Sequence, residues 1–111
     1  MKCKPLKLLC IILLSGSFVG QALAMDEFVL TIENHQFTPS ELIIPANKKV
    51  KLKVYNQDDA VEEFHSDDLD REKIIAAKAA GVIFLGPLAP GEYSYMGEFH
   101  SETARGIIKA Q

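Results

Sequence analysis

Cysteine is almost absent from this chain of 111 residues. Both cysteines, Cys3 and Cys10, lie near the amino terminus, so residues 25–111 can form neither a disulfide nor a thiolate metal site. The sequence also lacks a recognisable Ser/His/Asp or Cys/His set, a glycine-rich phosphate loop and a His-Glu-x-x-His motif. These absences argue against an enzyme and favour a binding function.

Basic residues are scarce beyond the first 24 positions. Residues 25–111 contain nine Lys and Arg and fifteen Asp and Glu. The net charge of residues 25–111 is therefore near −6 with histidine neutral. Nucleic acids and anionic membrane surfaces are bound by basic faces, so this charge argues against both as partners. It is compatible with a bound cation or with a basic partner protein.

The amino-terminal segment has the three parts of a secretory signal. Three lysines give a basic start over residues 1–7, residues 8–19 form an apolar run, and Ala22 and Ala24 are the small residues that a signal peptidase reads. The run is too short for a spanning helix. We expect residues 1–24 to be a cleaved signal peptide, residues 25–111 to form one periplasmic domain, and the exported chain to have no membrane span.

Short β-rich segments separated by Pro, Gly or Asn make up most of the remaining chain. Residues 49–55 alternate strictly between polar and apolar side chains, which is typical of a strand buried on one face. Residues 28–32, 42–44, 82–85, 92–95 and 106–108 have the same strand character. The spacing predicts an all-β, Greek-key antiparallel β-sandwich of about seven strands. Its predicted core consists of Phe37, Leu52, Val54, Phe64, Phe84 and Tyr95.

Residues 67–80 are the one segment with helical character, because four alanines lie close to Leu69 and Ile74. We expect a short helix or a turn-rich crossover there. The acidic residues at its start lack the glycine that an EF-hand loop requires, which argues against a calcium site.

Four segments, in the right order, resemble a small cupredoxin. They are Phe-Thr-Pro at residues 37–39 with Ile-Pro-Ala-Asn at 44–47, Asn-Gln-Asp at 56–58 ahead of Glu-Glu-Phe at 62–64, residues 88–95, and Gly-Glu-Phe-His at 97–100 followed by residues 101–106. The resemblance implies the cupredoxin sandwich, with its metal site among loops at one end.

The same resemblance implies that the copper ligands have changed. A type 1 copper site uses two His, one Cys thiolate and usually a weak axial Met. Here Gly97 stands at the Cys position, Ala104 at the Met position and a glutamate at the first His position, while His100 matches the second His. We therefore expect no type 1 blue copper.

The Glu-Phe pair in the first loop and Phe-His-Ser-Glu-Thr-Ala-Arg-Gly at 99–106 resemble the EfeO-type cupredoxin-like domains, a group with members in periplasmic iron and copper handling. This resemblance implies a copper or iron ion held by His100, by Glu62 or Glu63, and with His35 at the metal end of the sandwich. The sequence leaves the choice between the two glutamates open, because a shift of one residue in a strand exchanges its faces.

Each candidate ligand also has a structural alternative. His100 would instead bond to a loop carbonyl, the two glutamates would be solvated loop acids, and His35 would cap a strand end. Two functions therefore remain open. One is a periplasmic metal-binding protein for copper or iron handling or delivery. The other is a metal-free cupredoxin scaffold that serves as an accessory or interaction module of an envelope iron transporter.

Export gives the first testable prediction. If residues 1–24 are a signal peptide, the exported protein begins at Met25, because cleavage follows the small residue Ala24. Amino-terminal sequencing of protein recovered from the periplasmic fraction measures this directly. A chain that retains Met1 would show that the apolar run stays attached as an anchor.

Overall fold

The computed structural model describes residues 25–111, so the predicted signal peptide lies outside the described residues. The described part contains nine strands and one short 3₁₀ turn, Glu98–His100. The strands are β1 (Glu27–Glu33), β2 (Gln36–Thr38), β3 (Glu41–Ile44), β4 (Val50–Asn56), β5 (Glu62–Ser66), β6 (Arg71–Ile75), β7 (Ala80–Leu85), β8 (Gly91–Gly97) and β9 (Arg105–Ala110). Nothing in this part of the chain is a helix long and apolar enough to cross a membrane.

The strands form two sheets around a shared core. One sheet has the order β2-β1-β4-β7, and the other has the order β3-β9-β8-β5-β6. Within residues 25–111, five strand pairings are antiparallel, whereas β1 runs parallel to β4 and β3 runs parallel to β9. The predicted all-β sandwich is confirmed. The strand count exceeds seven because β2, β5 and β6 are too short or too polar to stand out in the sequence.

The alternation of apolar and polar side chains along the strands determines which residues form the core. Val50, Leu52 and Val54 of β4 are fully buried, as the polar–apolar pattern predicts. The aromatic rings of Phe37, Phe64 and Tyr95 pack together, with ring centroids 4.9 to 6.2 Å apart. Such aromatic packing adds to the burial of apolar area in holding the two sheets together.

Phe84 was expected in the core, and this prediction is wrong. The side chain is 47% exposed, whereas its neighbours Ile83 and Leu85 on β7 are buried. Successive side chains on a strand point to opposite faces, so the burial of those neighbours turns Phe84 to the solvent.

A short helix or a turn-rich crossover was expected at residues 67–80, and the structure has two turns with strand β6 between them. Strand β6 pairs with β5 over its whole length, and only Ile75 of β6 is buried. The alanine-rich stretch forms the turn into β7, where Lys78 adopts a φ of 58°. Cross-strand pairing of residues 71–75 and the turn that follows them therefore outweigh the helix propensity of this segment.

Three connections meet at one end of the sandwich: the turn after β1, the loop after β4 and the loop after β8. Backbone N–H groups of the first bond to Asp58 in the second, and Thr103 in the third bonds to the carbonyl of His35 in the first. Every ligand candidate named from the resemblance lies in these connections or in the strand that follows one of them.

Candidate metal centre

His35 is presented by a tight hairpin turn. Asn34 and His35 have φ values of 53° and 57°, so both central residues are left-handed, as in a type I′ turn. Residues other than glycine rarely adopt this backbone conformation. Here the Asp58 carboxylate stabilises it by accepting hydrogen bonds from both backbone N–H groups at 2.8 and 2.9 Å. These bonds, chiefly the one from His35, lower the pKa of Asp58.

The loop that carries Asp58 is shaped by Asn56. This buried side chain donates to the carbonyls of Ala60, Ile75 and Ala76, and its oxygen accepts the N–H of Asp58 at 3.0 Å. The amide thereby satisfies several buried backbone groups at once. It fixes the path of the chain from the end of β4 to the start of β5.

Glu62, the first residue of β5, is the buried acid of the site. It is 1% exposed. One carboxylate oxygen, Oε1, accepts the backbone N–H groups of Glu63 and Phe99, both at 2.9 Å, and the other, Oε2, lies 2.7 Å from Nδ1 of His100. Both carboxylate oxygens thus have hydrogen-bond partners, and the imidazole is the third donor in the tautomer that carries the proton on Nδ1.

Gly97 leaves the space that Glu62 fills. A Cβ atom at position 97 would lie 2.7 Å from the carboxyl carbon of Glu62 and 2.8 Å from Cβ of Ala104. No side chain fits at position 97 while Glu62 holds its place, because these separations are far below van der Waals contact. A thiolate ligand from this position is therefore incompatible with the observed site.

The rings of His35 and His100 are stacked, with centroids 3.7 Å apart and planes inclined by 10°. An imidazole binds a metal in the plane of its ring, and two nearly parallel planes 3.7 Å apart do not meet at one ion. As the rings stand, His100 and His35 cannot both ligate the same metal. Nδ1 of His35 instead lies 3.4 Å from the Asp58 carboxylate.

The Glu62–His100 pair has the dimensions of two neighbouring metal ligands. Metal–imidazole and metal–carboxylate bonds of about 2.0–2.2 Å at a right angle place the two ligand atoms about 3 Å apart, close to the observed 2.7 Å. The His100 side chain is 28% exposed, so one member of the pair borders solvent. Imidazole nitrogen with carboxylate oxygen suits Cu(II), iron or Zn.

The structure brings His35, Glu62 and His100 together and turns Glu63 to the opposite face of β5. The sequence did contain a signal for this choice, because Phe64 was expected in the core and Glu62, two residues before it on a strand, shares its face. Asp58 and Thr103 went unrecognised. Their bonds to the His35 turn span 23 and 68 positions of sequence, and no local pattern reports such contacts.

The profile described as the cupredoxin-like domain matches residues 6–109. An uncharacterized protein of Rickettsia prowazekii (strain Madrid E) is 44% identical over 82 residues, which cover 74% of this chain and 66% of the relative, just under two thirds of its length. Auracyanin A from Chloroflexus aurantiacus superposes with a TM-score of 0.68 at 11% identity, covering 79% of this chain and 100% of that one. Amicyanin from Paracoccus versutus gives 0.61 at 16% identity, with 80% and 85% covered. Such low identities to the two solved structures show a shared fold alone.

The two adjacent glutamates give a matched stability test. Replacing Glu62 by Ala leaves three donors without their acceptor in a buried place, and we expect the free energy of unfolding to fall by about 3 kcal/mol. Glu63→Ala removes the same charge from the outward face, where a change within about 0.5 kcal/mol is expected. Chemical denaturation of the metal-free variants measures both values. Equal losses would contradict the structural role assigned to the buried carboxylate.

Proposed function

The chain belongs to the cupredoxin-like domain family, and from that premise we propose that it is a periplasmic metal-binding protein that handles copper or iron without a blue-copper centre. The observation that carries the proposal is the 2.7 Å contact between Nδ1 of His100 and the buried Oε2 of Glu62, at a solvent-accessible end of the sandwich. Binding rather than catalysis is the proposed activity.

The ligand set determines the kind of ion. His100 supplies a nitrogen and Glu62 supplies an oxygen, while residues 25–111 contain no thiolate to favour Cu(I). Such a set suits Cu(II) or an iron ion. The backbone N–H groups of Glu63 and Phe99 fix the orientation of the carboxylate, which is how supporting hydrogen bonds position a metal ligand. His35 would join the ligand set only after its ring turns away from the stack.

A known protein of this fold supports copper as the bound ion. Auracyanin A is described as a "blue" copper protein. In the present chain the crowding between Gly97 and Glu62 leaves no room for a thiolate, so we propose a site with oxygen and nitrogen ligands and no type 1 copper. The proposed iron or copper handling and the periplasmic location rest on the resemblance to EfeO-type domains and on the signal-like segment at residues 1–24.

One observation favours a second candidate function. Both carboxylate oxygens of Glu62 already have hydrogen-bond partners, so the buried group is compensated without any ion. On that basis the chain would be a metal-free cupredoxin scaffold, in which the Glu62–His100 pair ties the loops together. Its proposed role is then that of an accessory or interaction module of an envelope iron transporter.

Titration of metal-free protein with Cu(II) separates the two functions. We expect one equivalent of Cu(II) to bind at a site that requires His100. This binding should produce no intense blue absorption band, because no thiolate donates charge to the ion. His100→Ala should weaken this binding at least about tenfold, or about 1.4 kcal/mol, because a ligand atom is lost. The same titration with iron(II) tests the second metal.

His65→Gln is the matched control, because it removes an imidazole that faces the other side of β5. It should leave the His100-dependent equivalent in place. If His100→Ala binds as many equivalents of Cu(II) as the unaltered protein and with the same affinities, or if the unaltered protein binds none, metal binding at this site is overturned and the scaffold function is left.

A further inference from the structure

A second group of ligand-type side chains lies on the outer face of the five-stranded sheet. Glu63 and His65 are two residues apart on β5 and share its outward face. His65 stands directly opposite Glu72 on β6. One ligand atom from each of Glu63, His65 and Glu72 lies within 4.8 Å of the other two.

The ring of His65 is held in an orientation suited to ligation. Its Nε2 lies 2.9 Å from the carboxylate of Asp67, and its Nδ1 lies 3.2 Å from Oε1 of Glu72. Nδ1 is shielded from solvent and makes no hydrogen bond of good geometry. When Nε2–H donates to Asp67, Nδ1 carries a lone pair beside Glu72. A histidine fixed by a carboxylate through its other nitrogen is the usual arrangement of a metal-ligating imidazole.

Negative charge accumulates around this ring without a basic partner. The hydrogen bond to Asp67 and the charges of Glu98 and Glu72 raise the pKa of His65. In residues 25–111 no Lys or Arg forms an ion pair with Glu63, Glu72, Asp67 or Glu98. The nearby Arg71 donates to the carbonyls of Asp70 and Phe84 instead. The negative electrostatic potential of these carboxylates attracts a cation.

From this geometry we propose that Glu63, His65 and Glu72 form a second metal site, which takes a divalent transition metal of the Zn²⁺ type. One imidazole nitrogen and two carboxylate oxygens supply three ligands, and water supplies the rest. The imidazole favours this class over Mg²⁺ and Ca²⁺, which prefer oxygen ligands alone. The site is independent of the Glu62–His100 pair, because the two groups lie on opposite faces of β5.

The histidine ring signals in an NMR titration with Zn²⁺ test the site, since the chain has only three histidines to assign. We expect Zn²⁺ to move the His65 signals in the pattern of a ring ligated through Nδ1. His65→Gln and Glu72→Gln should each weaken this binding at least about tenfold. Glu72→Gln keeps the size of an exposed side chain, so it tests the ligand without disturbing the core.

Two further variants complete the design. Glu27→Gln removes one negative charge from β1, which belongs to the other sheet, and should leave Zn²⁺ binding at His65 unchanged. His100→Ala should also leave it unchanged, which separates this site from the proposed function. The proposal is overturned if the His65 signals do not respond to Zn²⁺, or if both ring nitrogens of His65 carry protons at saturating Zn²⁺, since the group would then be an ion-pair cluster only.

Discussion

The buried carboxylate of Glu62 is the group on which the metal end of the sandwich depends. A charged group taken out of water is costly unless donors compensate it, and here they come from two backbone N–H groups and one imidazole. Two of these donors belong to the loop after β8, so the carboxylate holds that loop against β5. The glycine at position 97 follows from the same constraint, because the carboxylate occupies the volume that a side chain there would need.

The two-residue period of β5 gives neighbouring acids different roles. Glu62 and Phe64 point into the sandwich, whereas Glu63 and His65 point outward to the sheet surface. The inner acid meets one imidazole from a loop, and the outer acid lies beside an imidazole of its own strand. One short polar strand thus supplies both the proposed inner site and the proposed outer one.

Local patterns in the sequence were enough to predict most of the fold and a part of the site. The strict alternation at residues 49–55 predicts β4 and its buried face, because burial on one side of a strand leaves a period of two. The alanines of residues 76–80 mislead, because they form the turn that leads from β6 into β7. The resemblance to cupredoxins pointed to His100, His35 and the glutamate pair. The stacked rings and the support from Asp58 depend on a left-handed turn and on contacts distant in sequence, which no local pattern encodes.

The central claim is that an ion can replace the hydrogen bond between Glu62 and His100. The anomalous difference map of a Cu(II)-loaded crystal tests it most directly. The account predicts a copper peak about 2.0–2.2 Å from both Oε2 of Glu62 and Nδ1 of His100. A map without a peak there, with the two atoms still joined by their 2.7 Å contact at saturating Cu(II), would contradict it.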